Sequence, residues 1–418
     1  MAEKQIEQAV ILAGGLGARL RPLTNDRPKP MVEVNGKPFL EHLLLQLKAQ
    51  GIQRVLLLTG YLHQVIEDYF ADGACIGMEV SYCHGAVEWD TGRRLFRARP
   101  WLDPHFFLLY ADNYLNYRLT DLVKAYQAQS APVSLVVVPK EGGNIRLDER
   151  SVVTLYDQSR RATGLNYVEL GFMCVDRQVI DAIDDETNPS FTATLTRLAQ
   201  QQNIVAYRVF DQYYSISDPQ RLALTAHYLQ PKKLVLLDRD GTLNVKAKQG
   251  HYITDTAEFV LIQKHIMALK KLAAAGFEFL VVTNQAGLAT GDLSQSALCD
   301  IHDKLHQELA IEGITLRQIY VAGAHWQDQA DWDRKPNPGL FFRLSREHAL
   351  CLGQTWYIGD DPRDMQAARN AGCRGLFLGD VAQLSTELND FVDLASVDMA
   401  MLTEHICKEF GDENISDR

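Results

Sequence analysis

The sequence predicts an α/β protein built from two Rossmann-like, three-layer α/β/α domains with mainly parallel sheets. Short apolar runs typical of buried strands alternate with helical segments along the 418 residues, a length that suits two domains. The alternation stops at a polar break, residues 230–233, and then restarts with a new buried strand. Polar residues directly follow several strands, and open parallel sheets bind ligands at these strand ends.

The strand and helix patterns divide the chain. In the first half, strands are predicted at residues 8–14, 54–60, 105–113 and 133–140, and helices at 38–51, 62–73 and 120–129. In the second half, strands are predicted at 234–242, 277–284 and 355–361, and helices at 263–276 and 364–372. The predicted domains are 1–230 and 231–385. Residues 386–418 are predicted to form a solvated acidic tail, because the chain from Asp380 onward contains ten acidic residues and only two basic ones.

Composition limits the class of partner. The formal net charge of −11 argues against nucleic acid and anionic membranes as partners. The sequence shows no secretory signal and no apolar run of roughly 18 residues, so we expect a cytoplasmic protein. The seven cysteines include no C-x-x-C pair, which argues against a disulfide framework or a cysteine-rich zinc site. The oligomeric state stays open.

A glycine-rich segment follows the first strand. Residues 12–30 read LAGGLGARLRPLTNDRPKP. Backbone N–H groups around Gly14, Gly15 and Gly17 can approach phosphate oxygens closely, while Arg19 and Lys29 add positive charge. The glycines could instead only shape a turn, but their coincidence with the cations and the Pro-Lys-Pro favours phosphate binding.

This segment resembles the signature of the sugar-phosphate nucleotidyltransferases. The resemblance implies that a sugar 1-phosphate oxygen attacks the α-phosphorus of a nucleoside triphosphate and pyrophosphate leaves. It also implies that Arg19 holds the departing phosphates and Lys29 bridges phosphate and sugar phosphate. Asp112, which follows the strand FFLLYA, matches the metal-binding aspartate of the family and suits Mg²⁺.

The first half also departs from the family pattern. Residues 89–94 replace L-G-T-G-G-A, and Gln158 stands where the family has a lysine that contacts the sugar phosphate. Ser215 stands where the family has its second metal-binding aspartate, for which Asp211 or Asp218 is a candidate replacement. One alternative is therefore a catalytically weakened domain that only binds sugar phosphate.

Four motifs in the second half suit phosphate ester hydrolysis. Asp238 and Asp240, two residues apart at a strand end, can serve as nucleophile and as general acid and base. Thr283-Asn284-Gln285 offers hydroxyl and amide donors, Lys335 a positive charge, and Asp360 a further carboxylate for Mg²⁺. Each motif alone is weak evidence, but their order on three strand ends is specific.

These motifs resemble those of the haloacid dehalogenase-like phosphatases, in particular the heptose-bisphosphate and histidinol-phosphate phosphatase branch. The resemblance implies an aspartyl-phosphate on Asp238 and general acid–base catalysis by Asp240. Mg²⁺ would be held by Asp238, Asp360 and the backbone carbonyl of Asp240. The residues implied in substrate binding are Thr283, Asn284, Gln285, Arg334 and Lys335. Many members of this branch carry a cysteine-rich zinc loop; here His325, Asp331 and Asp333 stand in it, so we expect no structural zinc.

The two resemblances together indicate one pathway. A heptose bisphosphate phosphatase produces a heptose 1-phosphate, and residues 35–52 resemble heptose 1-phosphate guanylyltransferases. The sequence therefore predicts a bifunctional enzyme with Mg²⁺ in both domains and with sugar phosphates and a nucleoside triphosphate, expected to be GTP, as substrates. A histidinol-phosphatase-like activity is the other alternative, and the sequence does not determine the base or the anomer.

Overall fold

The computed structural model describes residues 5–248 and 250–415. The chain divides into two compact units, one ending at His227 and the other beginning at Tyr228. Each contains its own sheet, so the predicted α/β class is confirmed. In the described part of the chain, no helix combines the length and the apolar character that crossing a bilayer requires.

Thirteen strands and seven α-helices begin among the described residues of the first unit. The strands are β1 (Gln8–Ala13), β2 (Glu33–Val34), β3 (Lys37–Pro38), β4 (Arg54–Thr59), β5 (Glu79–His84), β6 (His105–Tyr110), β7 (Asn113–Leu115), β8 (Val133–Pro139), β9 (Ile145–Leu147), β10 (Val153–Tyr156), β11 (Tyr167–Asp176), β12 (Ile204–Arg208) and β13 (Tyr213–Ser215). The helices are α1 (Phe39–Ala49), α2 (His63–Phe70), α3 (Thr91–Ala98), α4 (Leu119–Gln127), α5 (Arg177–Asp181), α6 (Phe191–Gln200) and α7 (Pro219–Leu229).

The central sheet of this unit has nine strands. Strands β5, β4, β1 and β6 are parallel neighbours, as are β8 and β12. The sheet also contains antiparallel strands, because β11 pairs in the opposite direction with β6, β8 and β9. Alternate residues of β1 enter two apolar cores: Ile11 packs with α1, α2 and α4, and Val10 with α3, α5 and α6. The parallel strands therefore end together at one edge between two helical layers.

The second unit contains six strands and seven helices among its described residues. The strands are β14 (Leu234–Leu237), β15 (Glu278–Asn284), β16 (Leu316–Ala322), β17 (Trp356–Gly359), β18 (Arg374–Phe377) and β19 (Leu394–Ala395). The helices are α8 (Gln263–Ala274), α9 (Gly287–Thr290), α10 (Gln295–Ile311), α11 (Gly339–His348), α12 (Pro362–Ala371), α13 (Thr386–Asn389) and α14 (Met399–Ile415).

All six strands of the second unit are parallel, in the order β16-β15-β14-β17-β18-β19. One face packs on α8, α10 and α14, and the other on α11 and α12. The second strand of the unit along the chain, β15, lies on one side of β14, and the fourth strand, β17, lies on the other. The chain order therefore reverses beside β14, and the crevice at its carboxyl end is where such sheets bind ligands.

The prediction of a solvated acidic tail is wrong for residues 386–411. This segment forms α13, β19 and most of α14, and Met399, Leu402 and Ile406 are buried in the core of the second unit. Their spacing of three and four residues places them on one helix face, which packs against α8. Glu404 lies on another face of the helix and is exposed, whereas Glu409, three residues after Ile406, is partly buried and pairs with Arg374 at 3.1 Å.

Candidate active sites

The glycine-rich segment lines a cavity of about 460 Å³ in the first unit. Strand β1 ends at Ala13, and the chain then turns through Gly14, Gly15 and Gly17 into a short 3-10 helix, Ala18–Leu20. Gly17 has a φ of 61°, and a Cβ on it would lie 2.7 Å from the Cβ of Lys29. Only glycine allows this turn to lie so close to Lys29.

The predicted cationic and acidic residues surround the same cavity. Lys29, Asp112 and the exposed Arg19 all line it, together with the three glycines. Lys29 Nζ donates to Asp112 Oδ2 at 2.6 Å, and both side chains are mostly buried. The fold therefore brings together the residues expected to hold phosphates and a metal ion, although they are separated by up to 98 positions in sequence.

Arg94 is a central residue of this site that the sequence analysis treated only as a departure from the family. Its buried guanidinium donates to the carbonyl oxygens of Trp89 at 3.0 Å, Thr59 at 2.8 Å and Ala86 at 2.7 Å. It also donates to the Gly14 carbonyl at 3.4 Å. Arg94 thus connects the glycine loop, the end of β4 and the loop after β5, and no local sequence pattern indicates these contacts.

Asp112 and residues 215–218 lie side by side. Strand β13 pairs with β7, and the Ile216 amide donates to the Asp112 carbonyl at 3.0 Å. Ser217 lines the cavity, while the Asp218 carboxylate accepts from the Arg221 amide at 2.9 Å in the first turn of α7. The Asp218 carboxylate is therefore engaged in a helix-capping interaction in this structure.

Glu169 is a second acidic group near Asp112 that the sequence analysis did not identify. Glu169 lies on β11, and its carboxylate accepts hydrogen bonds from Tyr156 Oη at 3.1 Å and from the Gly171 amide. The pKa of Glu169 is raised to about 7, chiefly by burial and to a smaller extent by the charge of Asp112, while these hydrogen bonds lower it. A carboxyl with a pKa near neutrality can gain or lose a proton at physiological pH.

In the second unit, Lys335 lies between two aspartates. Its Nζ is 2.6 Å from Asp238 Oδ1 and 2.7 Å from Asp364 Oδ1, and all three side chains are buried. It also contacts Tyr357 Oη at 2.8 Å. Burial raises the pKa of Asp238, and Lys335 opposes that rise. The lysine is thus held as a cation directly beside the predicted nucleophile.

Asp240 is held by a set of donors. Arg239, itself fully buried, donates to both of its carboxylate oxygens, the shorter bond being 2.9 Å. Asn244 donates at 2.9 Å and Gln285 at 2.7 Å. Burial raises the pKa of Asp240, but Arg239 and these amides outweigh the burial and hold the pKa below its ordinary value. Asp240 is therefore a carboxylate in this arrangement.

Side-chain hydrogen bonds fix the residues at the end of β15, Thr283, Asn284 and Gln285. The Asn284 side chain donates to the Lys335 carbonyl and accepts from the Lys335 amide, both at 3.0 Å. Gln285 Nε2 donates to Thr283 Oγ1 at 2.8 Å as well as to Asp240. Asn284 thus fixes the backbone of Lys335 rather than pointing an unused amide at substrate. Arg334 is mostly buried and donates to the Ala324 carbonyl at 3.3 Å.

Three carboxylates in this crevice can hold a divalent cation. Asp238, Asp360 and Asp364 each offer an oxygen, and these oxygens lie within 4.8 Å of one another. Asp360 also pairs with Lys246 Nζ at 2.5 Å. Burial raises the pKa of Asp360, with Lys246 opposing it, so the cluster concentrates negative charge in a poorly solvated place. Such a set of hard oxygen ligands fits Mg²⁺.

Asp364 and Lys246 were not singled out from the sequence. Asp364 lies four residues after Asp360 in the same motif, and it also caps α12 by accepting from the Asp361 amide at 3.1 Å. That spacing was a usable signal for Asp364. Lys246 lies in an irregular segment with no recognisable motif, so only the fold shows its contact with Asp360.

Each unit thus places lysines and carboxylates at the ends of its central parallel strands, an arrangement typical of enzymes that act on phosphorus. The chain belongs to the Nucleotidyl transferase family, whose model matches residues 8–218. Residues 233–394 match the family described as Polynucleotide kinase 3 phosphatase. The two family resemblances predicted from the motifs are therefore confirmed.

Relatives of the two units carry different names. This chain is 32% identical over 178 residues to a D-glycero-beta-D-manno-heptose-1,7-bisphosphate 7-phosphatase of Pseudomonas aeruginosa. The aligned region covers 41% of this chain and 98% of that relative. It is also 30% identical over 155 residues to a D-glycero-alpha-D-manno-heptose 1-phosphate guanylyltransferase of Campylobacter jejuni. This second aligned region covers 36% of this chain and 68% of the relative. A UTP--glucose-1-phosphate uridylyltransferase, AglF, of Haloferax volcanii is 37% identical over 130 residues, 31% of this chain. The chain spans about half of the length of this last relative, 53%. It thus joins a nucleotidyltransferase domain to a domain related to heptose bisphosphate phosphatases.

Proposed function

We propose that this chain catalyses two consecutive steps in the synthesis of a nucleotide-activated heptose. The second unit removes the 7-phosphate of a heptose 1,7-bisphosphate, and the first unit transfers GMP from GTP to the heptose 1-phosphate. The observation that carries the proposal is the presence of both domains in one chain. Removing the 7-phosphate from the bisphosphate named for one relative leaves a heptose 1-phosphate, the substrate class named for the other.

In the second unit, Asp238 is the nucleophile. Its carboxylate oxygen attacks phosphorus, the bond to the sugar oxygen breaks, and an aspartyl-phosphate forms. Lys335 keeps Asp238 in place and offsets charge on the phosphoryl oxygens. Asp240 protonates the departing sugar oxygen and then takes a proton from the water that hydrolyses the intermediate. The donors around Asp240 hold its pKa below the ordinary value and favour the carboxylate form, and the approach of a substrate phosphate dianion would raise this pKa and favour uptake from solvent of the proton that Asp240 donates.

Mg²⁺ is the cofactor that the carboxylates of the second unit fit. Asp238, Asp360 and the backbone carbonyl of Asp240 would hold it, with Asp364 close to the same place. Bound there, the ion would neutralise charge on the phosphoryl oxygens. Thr283 and Lys335 would bind the transferring phosphoryl group, and Arg334 the rest of the substrate.

In the first unit, the triphosphate binds along the glycine loop. Backbone amides near Gly14, Gly15 and Gly17 hold phosphate oxygens, and Arg19 reaches the departing pyrophosphate. The ion pair between Lys29 and Asp112 separates on binding, because phosphate is then available to Lys29 and Mg²⁺ to Asp112. The 1-phosphate oxygen of the sugar attacks the α-phosphorus, and alignment by these groups supplies most of the catalysis.

The choice of heptose anomer follows from requiring consecutive steps. The phosphatase relative is named for the beta anomer and the guanylyltransferase relative for the alpha anomer. Both units must use one anomer if the product of one is the substrate of the other. Because the proposed transfer of GMP rests on the guanylyltransferase relative, which is named for the alpha anomer, we propose the alpha anomer for both.

A phosphatase with a sugar-phosphate-binding first unit is the second candidate. Gln158 and Ser215 replace a lysine and an aspartate of the family pattern, and Asp218 is engaged at the start of α7. This candidate predicts phosphate release without pyrophosphate release from any nucleoside triphosphate.

Separate assays of the two units distinguish these candidates. Purified protein with Mg²⁺ is given each anomer of heptose 1,7-bisphosphate, or histidinol phosphate, and released phosphate is measured. It is then given heptose 1-phosphate with each of GTP, UTP and CTP, and pyrophosphate is measured. The proposal expects preference for the alpha bisphosphate and for GTP; absence of pyrophosphate with all three nucleotides would leave only the second candidate.

A further inference from the structure

Two histidines and a glutamate converge on the surface of the first unit, outside the residues discussed above. His63 and Glu67 lie one turn apart at the start of α2, and His84 is the last residue of β5. Glu67 Oε1 is 2.9 Å from His63 Nδ1 and 3.0 Å from His84 Nε2. The two imidazole rings are 4.4 Å apart, so two ring nitrogens and one carboxylate oxygen meet at one place.

The second ring nitrogen of His84 is already engaged. His84 Nδ1 is 2.7 Å from Thr59 Oγ1, and Thr59 is fully buried at the end of β4, opposite His84 in the strand register. This contact orients the ring and directs Nε2 toward Glu67. Histidines that ligate metal ions in proteins are usually oriented by just such a contact at the other ring nitrogen.

The three ligand atoms have the type and spacing that a late transition metal prefers. In a tetrahedral zinc site, bonds of about 2.0 to 2.1 Å place neighbouring ligand atoms about 3.3 Å apart. The separations of 2.9 and 3.0 Å around Glu67 approach this value without an ion. Imidazole nitrogen suits zinc far better than magnesium, which distinguishes this cluster from the carboxylate cluster of the second unit.

We propose that His63, Glu67 and His84 form a binding site for a divalent cation of the zinc class. The ion replaces the protons that the ring nitrogens share with Glu67, and solvent completes its coordination because the site is half-exposed. Thr59 also accepts a hydrogen bond from Arg94 through its carbonyl at 2.8 Å. The ion therefore stabilises the end of β4, next to the glycine-loop cavity, through Thr59.

Metal binding by the full-length protein tests this proposal. Metal-stripped protein is dialysed against Zn²⁺ in excess Mg²⁺, which occupies the carboxylate sites, and bound zinc is measured by mass spectrometry. The wild type and His251→Gln, an exposed histidine of the other unit, should bind zinc equally. His84→Gln and His63→Gln should each weaken binding at least tenfold, and Thr59→Val, which removes only the orienting hydroxyl, by about tenfold.

Cobalt substitution identifies the ligands. Co²⁺ bound at this site gives visible d–d bands without the thiolate charge-transfer band that exposed Cys75, Cys299 or Cys407 would produce. Circular dichroism shows whether each variant is folded, and His63→Gln, at the half-exposed start of α2, serves if His84→Gln does not fold. The proposal is overturned if the wild type binds no zinc under these conditions, if the two histidine variants bind like the wild type, or if cobalt shows the thiolate band.

Discussion

The Lys335 ammonium lies 2.6 Å from the Asp238 carboxylate, in a pocket where both side chains are buried. These residues are 97 positions apart in sequence and come together because Asp238 follows β14 and Asn284, at the end of β15, fixes the backbone of Lys335. Burial alone would favour a neutral Asp238. The neighbouring cation opposes this effect, so the contact supports both the stability of the second unit and the nucleophile of the proposed reaction.

Replacing Lys335 should affect stability as well as catalysis. Lys335→Met leaves Asp238 and Asp364 buried without their cation, and removing one partner of a buried ion pair costs about 3 to 5 kcal/mol. Calorimetry should therefore show a lower transition temperature for the second unit, and phosphate release should be lost. The control is Lys271→Met, which removes an exposed pair with Glu404 and should cost less than about 1 kcal/mol. Equal destabilisation by the two variants would contradict the role given to Lys335.

Lys29→Ala should abolish nucleotidyl transfer and leave phosphate release unchanged. The variant removes the cation proposed to bridge the phosphates and leaves Asp112 without its 2.6 Å partner. Pyrophosphate release from GTP and heptose 1-phosphate measures the first activity, and phosphate release from the bisphosphate measures the second. Asp238→Asn is the reciprocal variant. Loss of both activities in either variant would mean that the two units do not work independently.

Arg94→Gln should destabilise the first unit and weaken its interaction with GTP. The substitution removes the guanidinium that donates to five backbone carbonyls of the loops around the cavity, and leaving such groups unpaired costs about 1 to 3 kcal/mol each where no water replaces the donor. We expect a lower transition temperature of the first unit and a higher KM for GTP. Arg161→Ala, an exposed arginine of the same unit, is the matched control and should change neither. An unchanged KM in a folded Arg94→Gln protein would refute the positioning role.

Glu169 should make the stability of the first unit depend on pH. Its pKa rises from 4.5 to about 7 on folding, so its full contribution is present below pH 4.5 and is lost as the pH rises through 7. Over that interval the free energy of unfolding should fall with pH by up to about 1.4 kcal/mol per unit. Glu169→Gln should flatten this dependence in denaturation experiments from pH 4 to 8, whereas the exposed Glu149→Gln should not. The same slope in Glu169→Gln and the wild type would contradict the raised pKa.

Local patterns were sufficient to predict much of the fold. Each predicted strand and helix corresponds to an element of the structure, because apolar runs and helical spacing are properties of neighbouring residues. The antiparallel pairing of β11 was not predicted, since strand direction depends on partners far away in sequence. The helix α14 was missed although Met399, Leu402 and Ile406 have helical spacing, because the excess of acidic residues dominated the interpretation.

The site residues also differ in whether local sequence or distant contacts determine them. Gly17, Asp238 and Lys335 stand in compact motifs, from which the sequence predicts them as site residues. Arg94 and Lys246 act through contacts with carbonyls and carboxylates on distant segments, and a single sequence contains no local signal for such contacts. Residues that position a site are therefore harder to predict than the motif residues proposed to carry its chemistry.

The most direct test of the central claim is conversion of the bisphosphate to a nucleotide sugar by one protein. Wild-type protein, Mg²⁺, GTP and alpha heptose 1,7-bisphosphate should yield GDP-heptose, with one phosphate and one pyrophosphate released per product. Asp238→Asn should form GDP-heptose from heptose 1-phosphate but not from the bisphosphate. Phosphate release by the wild type without any nucleotide sugar, or formation of GDP-heptose from the bisphosphate by Asp238→Asn, would contradict the account.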